Sequence, residues 1–253
     1  MTDAPAILAN YPNRRHFLQL VNIPVFGTRF LYMKNHKAAC TTVLASLMAN
    51  LNATRDGPPE PVDMGSVHAP PKSLLLTGSR GLTVRRALRW LNDPSVFRFT
   101  VVREPVARTV SAYADKIVKG DKQKTRLMRH LGRRAEADLS LSEFLDILAR
   151  DPAALDLDRH WRPQRKEVSW DQIEYDYVGD MADLPGAMAL ILYRIFGPSA
   201  QPPEDTRRSF GHKSHSQVMI DEMTAADRRN IERALEGDFE MYETVRHRLA
   251  EAS

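Results

Sequence analysis

A chain of 253 residues with 43% hydrophobic and 27% charged residues is long enough to bury a substantial core and ordinary enough to exclude a disordered or fibrous protein. Its single cysteine excludes an intrachain disulfide and a thiolate metal cluster, and its scattered histidines show no HExxH-like spacing, so no metal is expected. The formal net charge of +4 is small, and eight Lys/Arg against one acid fall between Lys116 and Arg134, which argues against a uniformly basic nucleic-acid binder and for one basic face that receives an acidic substrate or is simply a solvated helix, the latter preferred.

Residues 1–28 carry Pro5, Pro12, Pro24 and Gly27 among short apolar pieces and read as an irregular N-terminal arm, with one α/β domain over 29–253. The N-terminus lacks the basic, apolar and small-residue order of a signal peptide, and no stretch reaches the roughly 20 apolar residues of a membrane span. The expectation is a cytoplasmic protein. Phe30–Met33 reads as a first strand, Lys34–Thr42 as a loop, and Cys40, Leu44, Leu47 and Leu51 as the core stripe of a helix capped by Thr41 or Thr42. A lysine and hydroxyls at a strand-to-helix turn are the inventory of a phosphate cradle, although the loop has no glycine and is not GxxxxGK[ST]; a basic loop capped by threonines is the plain alternative. Cys40 is not followed by the Arg six positions on that a thiol phosphatase needs, since Ser46 stands there, and it reads as a small packed residue.

Residues 52–72 are rich in Pro, Gly and Asp and read as a loop or lid that ends near His68. This histidine is a candidate general base or an exposed loop residue. Leu74–Leu76 and an Arg-rich helical piece lead to the central stretch, FRFTVVREPVARTVSAYADK, over 97–116. Phe97, Phe99, Val101 and Val102 form a buried strand, Pro105 suits the first turn of a helix, and Val106, Val110, Tyr113 and Ile117 share one apolar stripe. Ser111 lies off that stripe. With Arg103 at the strand end, it is a candidate anion site at a helix N-terminus; a salt-bridged Arg and an exposed Ser are the alternative.

Further on, Ser140 and Glu143 open a helix, and DRHWRP at 158–163 gathers polar and aromatic groups in a loop. IEYDYV at 173–178 alternates like a strand that Gly179 breaks, and Pro185–Phe196 is an apolar helix. The stretch 201–216 is a polar loop with His212, Lys213 and His215. Thr224 caps a helix through Leu235, and Phe239, Tyr242, Val245 and Leu249 stripe the last one. Strands alternating with helices imply an α/β fold with a parallel sheet covered by helices, and a site at the C-terminal strand ends.

Taken together, HKAACTTV at 36–43 and TVVREPVARTVSAY at 100–113 resemble the two donor loops of sulfotransferases that use 3′-phosphoadenosine 5′-phosphosulfate (PAPS), closest to the carbohydrate branch of chondroitin and dermatan type, whose loops read PKAGCTNW and FVREPFERLVSAY. DRHWRPQ, YDYVGDM and GDFEMY are also similar to that branch, and the likeness spans about residues 29–245. The resemblance implies a P-loop-like sulfotransferase fold with PAPS as co-substrate. Lys37 with Ala38, Ala39, Cys40, Thr41 and Thr42 would hold the 5′-phosphosulfate, Arg103 and Ser111 the 3′-phosphate, and Lys213 would close over that phosphate. Arg108 matches a family arginine of structural role. His68 is the implied base, with His160 its rival and a carboxylate third, and Trp161 would line the sugar or nucleotide cleft unless it is a packing anchor. His36, Ala39 and Val43 replace the branch's Pro, Gly and Trp, so the adenine contacts there do not carry over. The Golgi members' anchor and disulfide cysteines have no counterpart, which implies a soluble, bacterial-type relative.

The implied acceptor is a saccharide or glycoconjugate, with no nucleic acid and no membrane span. Two other readings stand beside it: a P-loop-type kinase, which the loop sequence disfavours, and a non-catalytic binder of a polyanion or nucleic acid through 116–134, which lacks interleaved aromatics for base stacking.

Overall fold

The computed structural model describes residues 4–62, 65, 67–120, 122–203 and 216–251. These fall into two compact units: residues of 4–102 with 166–203, and residues of 103–165 with 216–251.

The first unit is built on a five-stranded sheet of β1 (Val21–Pro24), β2 (Phe30–Met33), β3 (Leu75–Leu76), β4 (Phe97–Val102) and β5 (Tyr177–Asp180), in the order β3-β1-β2-β4-β5. β2, β4 and β5 run parallel, with Tyr32 opposite Phe99 and Phe99 opposite Tyr177. β1 is antiparallel to both β2 and β3, so the sheet is mixed where a parallel one was expected. Every residue of β2 is buried, as a strand covered on both faces demands. Phe30, Tyr32, Phe99 and Val101 point to one face. There they pack with Val43, Leu44, Leu47 and Leu51 of helix α3 (Cys40–Thr54) and with Met188, Ile191 and Leu192 of α10 (Leu184–Phe196). The Tyr32 and Phe99 rings stack at 5.1 Å.

Two expectations change here. The N-terminal arm is not irregular: α1 (Ala4–Ala9) and α2 (Arg14–Leu20) precede β1, and Phe17 and Leu20 are fully buried. Asn13 caps α2 by accepting a hydrogen bond from the His16 amide at 2.9 Å. Gly179 does not break a strand but lies inside β5, because a Cβ there would come within 2.9 Å of the Ala187 Cβ on α10. The short helix α4 (Val84–Leu91) supplies the Arg-rich piece, capped by Thr83.

The second unit is helical. α5 (Pro105–Tyr113) runs into one π-helical turn, Ala114–Val118, and then come α6 (Lys122–His130), α7 (Leu141–Arg150), α8 (Pro152–Asp156) and the short α9 (Gln164–Glu167) that leads out of the unit. α11 (Ser216–Asp221), α12 (Ala225–Ala234) and α13 (Glu236–Glu251) complete it. Val110, Tyr113 and Ile117 of the expected stripe are buried in one core with Phe144, Leu145, Leu148, Trp161 and Ile231. Ser140 caps α7, and Thr224 with Asp227 forms a full capping box on α12.

Candidate functional site

In the sheet unit, the segment between β2 and α3 is a tight turn made from non-glycine residues. Lys37 (φ 66°) and Ala39 (φ 55°) both sit in the left-handed region, which glycine occupies without penalty and other residues adopt only under constraint. The constraint is visible on the strand side. Lys34, Asn35 and His36 are buried, the Asn35 amide donates to the Val101 carbonyl at 3.1 Å, and the Thr100 hydroxyl donates to the Met33 carbonyl at 2.8 Å. β2 and β4 are parallel neighbours, so both end at this edge of the sheet, where α/β folds place ligands.

Ala39 is the N-cap of α3, and its methyl group offers no acceptor to the helix's first-turn amides. This fifteen-residue helix turns the positive end of its dipole toward the turn that carries Lys37. Burial pushes the Cys40 thiol up, against the lowering influence of Lys34 and Lys37, so the sulfur is a neutral packed group and not a nucleophile. Ala38 is fully buried. Thr41 is brought together with His68: the Thr41 hydroxyl and the exposed His68 Nε2 are 3.3 Å apart.

In the helical unit, Arg103 directly follows β4 in the chain and precedes α5. The expected use of α5's N-terminal amides is corrected by the structure: the Glu104 carboxylate accepts from Val106 N–H at 3.0 Å and Ala107 N–H at 2.7 Å, so that end is already capped by an anion. Glutamate is an unusual N-cap, which hid this from the sequence. Arg103 is half-buried, and burial, reinforced by the nearby Arg108 and opposed by Glu104, lowers its guanidinium pKa from the ordinary value. Ser111 is half-buried on α5. Arg108 is fully buried and donates to the Arg162 carbonyl at 2.9 Å and the Arg159 carbonyl at 3.4 Å, a structural role as expected.

The carboxamide of Gln164, fully buried, accepts from the Arg103 amide at 3.2 Å and donates to the Arg103 carbonyl at 2.7 Å. Sequence reasoning did not single out this residue; the only signal was its place at the end of DRHWRPQ. His160 pairs through Nδ1 with the Asp158 carboxylate at 2.5 Å. Trp161 does not line a cleft: its ring is 0% exposed, its indole N–H donates to the Ala154 carbonyl at 2.9 Å, and it meets Phe144 edge-on at 5.7 Å. Lys213 lies outside the described residues. The basic stretch 116–134 is matched by acids in part: Lys116 and Lys119 pair with Asp115, Arg126 with Asp158, His130 with Asp151 and Arg133 with Glu143. All four acids lie outside the stretch in sequence, so a local charge count overstated it.

A lysine-bearing turn before α3, followed in the chain by a half-buried arginine directly after the adjacent parallel strand, agrees with the outcome of comparison with known families. The sulfotransferase family model matches residues 28–243, most of the chain. The chain belongs to the sulfotransferase family. Sulfuryl transfer is thus the reaction class to which this sulfotransferase is assigned. No curated protein and no solved structure matched it. Among the described residues, no cluster of His, Cys, Asp and Glu has the spacing of a metal site, and no helix is long and apolar enough to cross a membrane.

Proposed function

We propose that this sulfotransferase moves a sulfuryl group from PAPS to a hydroxyl of a carbohydrate or glycoconjugate acceptor by in-line displacement. The observation that carries the proposal is the left-handed Lys37–Ala39 turn, which places a lysine just before α3, a helix whose N-cap residue Ala39 has no side-chain acceptor. In the transfer, the bond between sulfur and the bridging phosphate oxygen breaks as the acceptor oxygen bonds to sulfur, and negative charge grows on the leaving phosphate. Lys37 and the positive end of the α3 dipole would stabilise that charge more in the transition state than in the ground state, which is what raises a rate.

Arg103 and Ser111 take the 3′-phosphate in this reading. The Glu104 cap supports a side-chain role, because Glu104 already engages the Val106 and Ala107 amides of α5 and a guanidinium is a group suited to phosphate. His68 takes the acceptor's proton, a role supported by its approach to Thr41 on the first turn of α3. His160 is the second reading, favoured by the Asp158 carboxylate that fixes its ring. A cytoplasmic setting belongs to the same proposal, supported by a single cysteine that has no intrachain partner.

The test is calorimetric titration with 3′-phosphoadenosine 5′-phosphate (PAP), AMP and ATP, for wild type and Arg103→Ala. Binding of PAP at least about tenfold tighter than AMP, equivalent to ~1.4 kcal/mol, with that preference lost in the variant, is the expected result. Equal affinity for PAP and AMP would remove the donor assignment. An acceptor screen with His68→Ala and His160→Ala then identifies the base as the histidine whose loss removes the acid limb of the kcat profile.

A further inference from the structure

We infer that Gln164 is a positioning residue for Arg103, and that Asp238 on α13 holds Gln164 in place. The inference rests on the reading of Arg103 as the 3′-phosphate ligand.

The turn between β4 and α5 is a place where sheet pairing has ended and helical bonding has not begun, so the Arg103 peptide groups have no ladder of their own. Gln164 replaces that ladder with one side chain. Its carboxamide oxygen accepts from the Arg103 amide at 3.2 Å and its carboxamide nitrogen donates to the Arg103 carbonyl at 2.7 Å, a two-point contact that fixes both peptide planes flanking the Arg103 Cα. With those planes fixed, the direction in which the guanidinium leaves the main chain is fixed too. A carboxamide is the neutral side chain that offers one donor and one acceptor at this spacing.

Gln164 is itself clamped. The Asp238 carboxylate, 1% exposed, accepts from the Gln164 amide at 2.8 Å through one oxygen and from the Arg165 amide at 2.8 Å through the other. Asp238 therefore caps the start of α9 from a helix some seventy residues downstream. Burial raises its carboxyl pKa, against the lowering influence of Arg108 and of the two amide donors. The buried Arg108 supplies positive charge from α5 on one side, and Arg165 from the other. The result is a relay of hydrogen bonds from α13 through Gln164 to the arginine, with every link inside the helical unit. A polar network this deeply buried is costly unless fully satisfied, and it fixes one geometry when it is.

The experiment is a double-mutant cycle read as the ratio of PAP to AMP affinity, by calorimetry on the full chain. Gln164→Met keeps the side-chain volume and removes both hydrogen bonds. It is expected to lower the ratio about tenfold in the wild-type background and to leave it unchanged in the Arg103→Ala background. Asp238→Asn, which keeps the shape and one acceptor, is the second variant in case Gln164→Met fails to fold. It should lower the ratio roughly threefold, again only when Arg103 is present. If Arg103→Ala lowers the ratio but either variant with a wild-type melting curve does not, or lowers it equally without Arg103, the positioning role is overturned and the donor reading survives. If Arg103→Ala leaves the ratio at its wild-type value, the donor reading falls and this inference with it.

Discussion

Trp161 shows how much a single residue's surroundings decide. A tryptophan in a polar loop between two charged residues suggests a ligand platform, yet its ring is fully buried and its one polar atom is satisfied by the Ala154 carbonyl. Its work is packing. Trp161→Ala is expected to lower the stability of the fold by about 3–5 kcal/mol, read as a shift of the urea midpoint. A loss under about 1 kcal/mol would mean that the ring is not the core anchor described above. Ala39 is a second residue whose backbone says more than its side chain. Holding φ at 55° costs a non-glycine residue about 1–2 kcal/mol, whereas glycine gives back part of the gain by loosening the unfolded chain. Ala39→Gly should therefore stabilise by up to about 1 kcal/mol, while Ala39→Val, branched at Cβ, should destabilise by more than that in the same denaturation series.

At the scale of elements, β5 and α10 approach so closely that only glycine fits between them. A Cβ on Gly179 would lie 2.9 Å from Ala187 and 3.6 Å from a Val101 methyl, and neither neighbour is the flexible end of a long chain. Gly179→Ala is expected to cost about 1–3 kcal/mol by overpacking, seen in thermal melts; an unchanged melting temperature would show that α10 slides away freely. The same element explains a misreading, since a glycine after an alternating run looks like a terminator and here marks a contact. Strand β4 and the helix after it were legible because the first is a short apolar run, buried from Phe99 to Val102, and in the second Val110, Tyr113 and Ile117 recur at helical spacing. β1 and β3 were not. Strands of four and two residues have no period to read, and their antiparallel pairing to one another is decided by partners some fifty residues apart.

For the molecule as a whole, charge was the least legible property. Counting along the chain gave 116–134 an excess of positive charge, but folding brings Asp158, Asp151 and Glu143 to Arg126, His130 and Arg133. The two loops at the heart of the proposal were visible as residues, whereas Glu104, Gln164 and Asp238, which hold the backbone around the second of them, act through side-chain contacts that no local pattern encodes.

Global stability carries the same electrostatics. Burial alone would raise the Asp158 carboxyl, but the hydrogen bonds and charge of His160, with Arg126, hold it below the usual carboxylate range. Its folded pKa being depressed, Asp158 contributes stability in full above the unfolded value of about 3.9 and loses it as the pH falls through the folded value. Asp238 has the opposite sign: its raised pKa makes its contribution favourable in acid and lost as the pH rises. Urea unfolding of wild type against Asp158→Asn, taken from neutral pH down to about pH 3, should show the largest gap at neutral pH and a narrowing gap in the acid range. A gap that widens in acid would reverse the assignment.

The most direct test of the central claim is transfer itself. PAPS labelled in its sulfur would be incubated with a pool of neutral saccharides and the wild-type chain, and label on saccharide counted beside PAP released, with Lys37→Ala in parallel. The account predicts labelled saccharide and PAP in equal amounts from wild type, and a fall in turnover of about a hundredfold or more for Lys37→Ala at saturating donor, as expected when a transition-state charge loses its partner. PAPS left intact by wild type, or a Lys37→Ala variant that turns over at the wild-type rate, would contradict it.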